Sequence, residues 1–177
     1  MRVNRASLMK GVLASGLGLI AVYGLPGCVG YQLGSMLPPD IQTVYVPTFI
    51  NETEEPLLEI ETTRAAISEI QRDGSLRIAS ADEADALLTV RLTGFRLQPL
   101  AYDRDRRAAA EEYRMFITAS IVLTRQSTQE VIARSPRVTG EATFFLLGDM
   151  TSSKQAALPA ASRDLAHLII SQIVEAW

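Results

Sequence analysis

The chain has 177 residues, with 17 Lys and Arg against 20 Asp and Glu for a net charge of −3, one His and one Cys. An acidic balance counts against nucleic acid as a partner, because a binder needs a basic face. A lone cysteine excludes an intrachain disulfide, and 47% apolar residues suffice for a domain with a real core.

Arg2, Arg5 and Lys10 precede an apolar stretch from Gly11 to Val22, and no acid occurs before Asp40. Positive, apolar and small residues in this order make a secretory signal. The apolar run is shorter than the ~20 residues that cross about 30 Å of hydrocarbon, which favours cleavage over anchoring. Leu25-Pro26-Gly27-Cys28 resembles the lipobox of bacterial lipoproteins, with Pro26 where Ala or Ser is usual. That resemblance implies cleavage before Cys28 and acylation of its thiol and new amine, each buried methylene contributing roughly 0.8 kcal/mol to anchoring. The alternative is a buried thiol in an uncleaved chain. Val29 follows, not the Asp that commonly retains lipoproteins in the inner membrane, which points to the outer membrane. The expected plan is a signal peptide over 1–27, a lipidated tether over 28–40 and a single domain over 41–177. The 150 residues from Cys28 onward carry 14 basic and 20 acidic side chains, and 13 of the basic ones are Arg, Lys154 being the exception. Forked Arg contacts suit an anionic ligand, and codon bias explains the excess equally well.

Ile41 to Phe49 reads as a strand, with Pro47 marking an edge or a bulge because it has no N–H to donate. Asn51 to Pro56 reads as a helix start, with Asn51 or Thr53 as cap and acids in the first turn. Leu57, Ile60, Ile67 and Ile70 form the expected apolar stripe, and Asp73-Gly74 ends the helix. Ser75 to Ile78 is a short strand candidate.

Three long alternating segments follow. Leu88, Val90 and Leu92 share one face of the first; Tyr113, Met115, Ile117, Ala119, Ile121 and Leu123 share one face of the second; Ile132, Val138, Ala142 and Phe144 share one face of the third. The opposite faces are rich in Thr and Arg. Such segments are half-buried antiparallel strands with one wet face. At about 3.3 Å per residue they reach roughly 40 to 50 Å, beyond what the core of this domain needs. Gln126-Ser127-Thr128-Gln129 is a short hairpin loop that makes the last two strands neighbours. A final helix carries Leu158, Ala161, Leu165, Leu168, Ile169 and Ile173, with Pro159 expected in its first turn. Two amphipathic helices covering one face of such a sheet make a two-layer α+β sandwich with long hairpins.

Catalytic chemistry is poorly represented. His167 is the only histidine and lies among Leu165, Ala166 and Leu168, where a helix-face or core-edge hydrogen bond suits it better than metal or general-base work. The acids at 52, 54, 55, 59 and 61 fit a helix start rather than a ligand set, and no Gly-rich phosphate loop or nucleophile elbow occurs. We expect no enzyme, no metal and no cofactor; a carboxylate-only hydrolase is the enzymatic alternative. A binding or assembly module fits better. Arg104, Arg106 and Arg107 cluster between the first two long strands, where Asp103 and Asp105 reduce the local charge to +1.

Several short motifs stand in order after the cysteine: Gly30-Tyr31-Gln32-Leu33, Val44-Tyr45-Val46-Pro47 followed by Asn51, Asp73-Gly74, Ala84-Asp85-Ala86, Glu112-Tyr113, and Phe144-Phe145 followed by Met150 and Lys154. In this order and spacing they resemble the LptE family of lipopolysaccharide-assembly lipoproteins. The resemblance implies two helices on a mainly antiparallel four-stranded sheet, seated as a plug in the lumen of the LptD outer-membrane β-barrel. There the protein would assemble the barrel and assist lipopolysaccharide transport and insertion into the outer leaflet. It also implies basic contacts to lipopolysaccharide: Arg106, with Arg107 adjacent, falls at one such position counting back from Glu112-Tyr113, and Lys154 at another counting on from Phe144-Phe145. A stand-alone periplasmic lipid carrier or envelope scaffold is the alternative.

Overall fold

The computed structural model describes residues 37–102 and 110–175. The expected signal peptide and most of the expected tether lie outside them.

Three long strands dominate: β4 (Ala86–Tyr102), β5 (Ala110–Arg125) and β6 (Val131–Phe145). They run antiparallel, with Leu88 opposite Leu123, Phe95 opposite Ile117 and Ala119 opposite Val138. The β5–β6 turn closes as expected over residues 126–129: the Arg125 amide donates to the Glu130 carbonyl at 2.8 Å, and Gln129 adopts φ 58. Alternation sorts the faces as the period requires. Leu88, Leu92, Met115, Ile117, Ala119 and Leu123 are fully shut from solvent, while Thr93 and Glu141 on the other face are exposed. A one-residue register shift on β6 falls between Ser135 and Val138, where Pro136 cannot extend the ladder.

The sheet is nonetheless not four antiparallel strands. It has six, β1 (Thr43–Tyr45), β2 (Ile50–Asn51) and β3 (Arg77–Ile78) being short and paired in parallel: β3 and β4 flank β1, and β2 pairs farther along β4. Pro47 is the physical reason for the break, since the strand expected over 41–49 loses its ladder there and resumes at Ile50. Parallel pairing follows from α1 (Leu58–Asp73), which carries the chain over the sheet between β2 and β3. Asp85 ties the start of β4 to the start of β1. Its Oδ2 accepts the Gln42 amide at 3.0 Å, the Thr43 amide at 2.9 Å and the Thr43 hydroxyl at 2.7 Å, and its own amide donates to Thr43 Oγ1 at 2.9 Å.

The start of α1 also differs from expectation. Neither Asn51 nor Thr53 caps it. Leu57 takes the N-cap position in the left-handed region, φ 61, with no side-chain cap. That reversal rotates the helix, so Leu57 and Ile60 are 65% and 48% exposed while Leu58, Thr62, Ala65, Ala66 and Ile70 are buried. The end matches: Gly74 at φ 78 donates its amide to the Ile70 carbonyl at 3.1 Å.

The second helix, α2 (Met150–Val174), is capped by Asp149, which accepts the Ser152 amide at 2.9 Å. Pro159 stands inside it rather than in its first turn. Pro159 has no N–H to donate to the Gln155 carbonyl four residues earlier, and Gln155 is exposed, so the lost bond falls outside the core. Ala161, Leu165, Ile169 and Ile173 are buried as the stripe predicts, whereas Leu168 is exposed. Both helices share one core with the apolar faces of the strands. At Gly140 the helix meets the sheet directly: a Cβ there would fall 2.3 Å from the Leu165 amide nitrogen.

Candidate functional site

Lys154 projects from near the start of α2, where two hydrogen bonds fasten the chain. Asp149 caps it, and the Ser153 hydroxyl accepts the Leu147 amide at 2.9 Å. The Ser152 amide and hydroxyl hold the Asp149 carboxyl below the usual carboxylate range.

Opposite Lys154 lies the loop that leads into α1. Asn51 Oδ1 accepts the amide and hydroxyl of Thr53 at 3.0 and 2.8 Å, and Asn51 Nδ2 donates to the Glu55 carbonyl at 2.8 Å and to Glu59 at 2.9 Å. The Glu55 amide donates to Thr53 Oγ1 at 3.2 Å. Asn51 and Thr53 thus build a turn instead of capping the helix. The turn delivers the Glu55 carboxylate to Lys154 Nζ, with Oε1 at 2.6 Å and Oε2 at 2.8 Å. The Phe95 ring of β4 lies 5.8 Å from the same nitrogen, within cation–π range.

Glu55 and Phe95 are the site residues that the sequence does not announce. Glu55 reads as one acid of a helix start, and 99 positions separate it from Lys154. Strict alternation would put Phe95 on the face of Arg91 and Thr93; the register shift between Leu92 and Gly94 turns it to the helix side, opposite Ile117.

Arg106, Arg107 and Cys28 lie outside the described residues. From Phe95, β4 continues to Tyr102, a rise of roughly 20 Å.

His167 occupies the helix-face position that its neighbours suggest. It is 60% exposed and its Nδ1 lies 3.1 Å from Glu69 of α1, which also pairs with Arg72 at 2.5 Å. Burial pushes the Glu69 carboxyl up, but hydrogen bonds from Arg72 and His167 outweigh it and leave the group below its ordinary value. Among the described residues, no three His, Cys or acidic side chains are grouped as a metal would need, and no helix is long and apolar enough to cross a membrane.

The wet face of the sheet lies opposite the helices. The hydroxyls of Thr118 and Thr139 sit 3.1 Å apart across β5 and β6, Arg96 stacks 4.3 Å above the Phe116 ring, and Arg91 pairs with Glu52 at 2.8 Å. A polar surface over such long strands is built to face water or a polar partner.

The sequence model of the LptE family, described as lipopolysaccharide-assembly, matches residues 41–176. The chain belongs to the LptE family. LptE proteins form a non-enzymatic family of outer-membrane lipoproteins. Among solved structures, a protein from Xanthomonas campestris superposes with a TM-score of 0.52 at 12% identity, covering 79% of this chain and 87% of its own. At that identity the likeness is one of fold. A minor lipoprotein from Acinetobacter baumannii gives a TM-score of 0.46 at 13% identity over 78% of this chain and 94% of its own. Lipoprotein B from Nitrosomonas europaea gives 0.46 at 13% identity over 78% and 81%. A comparison with curated protein sequences returns no match.

Proposed function

We propose that this LptE protein is anchored to the outer membrane through acylated Cys28, after removal of residues 1–27, and is joined by a short tether to its single domain. It seats in the lumen of the LptD β-barrel, assembles that barrel and assists the passage of lipopolysaccharide to the outer leaflet. Arg106, Arg107 and Lys154 contact phosphate groups of lipid A.

The family match over residues 41–176 carries this reading. Two physical features support it. The uncovered face of β4, β5 and β6, with its Thr pair and its Arg and Glu side chains, suits the wet interior of a barrel, where bridging waters complete polar contacts. Lys154 stands near a capped helix start beside an aromatic ring, a favourable mount for an ammonium that meets anions.

Purification from outer membranes in mild detergent through a C-terminal tag tests the partner. A large β-barrel protein should elute at one-to-one stoichiometry. Elution of the protein alone from the same membranes would overturn the plug and favour a carrier or scaffold. Replacing Arg106, Arg107 and Lys154 with Glu should lower lipopolysaccharide binding and spare barrel association; unchanged binding would remove the ligand half of the proposal.

A further inference from the structure

Lys154 already has an anion. Both Glu55 oxygens contact its ammonium, at 2.6 and 2.8 Å, and the two side chains are only 23% and 17% exposed. The counter-ion is held in place, because Asn51 and Thr53 fix the Glu55 carbonyl and amide. An incoming anion therefore meets a pair whose charges cancel, and it must replace a carboxylate that makes two contacts. A phosphate diester offers one negative charge, no more than the carboxylate it would displace. A phosphate monoester offers about −1.5 to −2 and three strong acceptor oxygens.

We propose that Glu55 is a selectivity filter: it closes the Lys154 site to singly charged headgroups and yields to a phosphate monoester. The inference rests on Lys154 being an anion-binding residue, as read above, and names the class of headgroup it takes. Two further observations fit. Phe95 remains under Nζ when Glu55 withdraws, so the ammonium keeps one favourable contact during the exchange. Leu57, two residues beyond Glu55, is held at φ 61 with an exposed apolar side chain, so the chain beside Glu55 is strained and not packed into the core. Rejection by a resident like charge is specificity by repulsion, added to the attraction of Lys154.

The test titrates the full chain, purified in neutral detergent micelles, with micelles doped with phosphatidic acid, a monoester, or phosphatidylglycerol, a diester. Free inorganic phosphate as competitor separates headgroup recognition from binding of the loose ion. Wild type should prefer the monoester lipid. Glu55→Gln should bind both lipids more tightly, the diester by about fivefold or more, so that the preference shrinks. The same substitution should lower the melting temperature, and a gain in binding alongside a loss of stability is not what mere structural damage produces. Should Glu55→Gln not fold, Glu55→Asp, which withdraws the carboxylate without removing it, should show a smaller gain of the same sign. Unchanged or weaker binding by these variants, while Lys154→Met abolishes binding, would overturn the filter and leave the Lys154 reading intact. An equal gain for both lipids would also overturn it. Wild-type binding by Lys154→Met would overturn the anion site itself, and the filter with it.

Discussion

The long strands have two halves that differ in what covers them. Between Ala86 and Leu92, and at the matching stretch of β5, the inward side chains are shut from solvent, and the Asp85 clamp ties β1 to β4. From Phe95 outward the inward positions of β4 lose that cover: Phe95 and Leu97 are only part-buried and Pro99 is exposed, although their β5 neighbours Ile117 and Met115 remain shut from solvent. The boundary falls near Gly140, where α2 touches the sheet, and the Lys154 site sits on the open side of it. Along β4 burial is therefore heavier in the first half, and the outer half carries the contact between Phe95 and Lys154. Sites that must exchange partners are drawn from the less stable parts of a fold.

The most damaging way to break this division is Gly140→Ala. The new Cβ would lie 2.3 to 2.6 Å from the amide, Cα and Cβ of Leu165, and backbone atoms cannot swing aside as a flexible side chain can. Displacing α2 should cost about 3 kcal/mol or more, seen as a lower urea midpoint. A midpoint within about 0.5 kcal/mol of wild type would show that helix and sheet are not in contact there. Next in size is the contrast between Leu88→Ala and Leu97→Ala. Leu88 is fully buried and Leu97 is only packed against the core, so the first should cost about 3 kcal/mol and the second less than about half of that. Equal costs would erase the two-halves distinction.

Much of the covered half is legible in the sequence, because a period of two over Leu88 to Leu92 and Met115 to Leu123 leaves only one face to bury. The end of α1 at Gly74 is legible for a similar reason, since a left-handed residue there favours glycine. What the sequence hides is set by contacts distant along the chain. The face that α1 buries is chosen by close approach to α2, which favours Thr62, Ala65 and Ala66 over the larger Leu57 and Ile60. Nothing local marks that choice, nor the left-handed turn at Leu57 that precedes the helix. Two-residue strands such as β2 and β3 have too few positions to show a period. The pairing of Glu55 with Lys154 exists only once the helices are docked.

Asp85 allows a smaller test within the covered half. The Thr43 hydroxyl and the amides of Gln42 and Thr43 hold its carboxyl below its ordinary 3.8. A carboxyl depressed by folding stabilises fully above its unfolded value and loses that contribution as pH falls through the folded one. Asp85→Asn should therefore be less stable than wild type by about 1 kcal/mol at neutral pH, through weakened hydrogen bonds. Urea titrations across acidic pH should show this gap constant above about pH 4 and closing below it. A gap that persists unchanged in acid would mean that the clamp does not depend on the charge.

Thr139→Lys has the smallest expected effect on the fold and bears most directly on the wet face. The Thr139 hydroxyl approaches that of Thr118 at 3.1 Å, and both residues are part-exposed. A lysine at this position can extend into water, so the urea midpoint should stay within about 0.5 kcal/mol of wild type. If this face lies against the inner wall of a barrel, the same substitution places a long cation where only a hydroxyl fits. Recovery of the barrel protein with the tagged variant should then fall while the fold is unaffected. Equal recovery would mean that the polar face of β5 and β6 looks onto water and not onto a barrel wall, so that any grip by the partner lies on the helices or the strand edges.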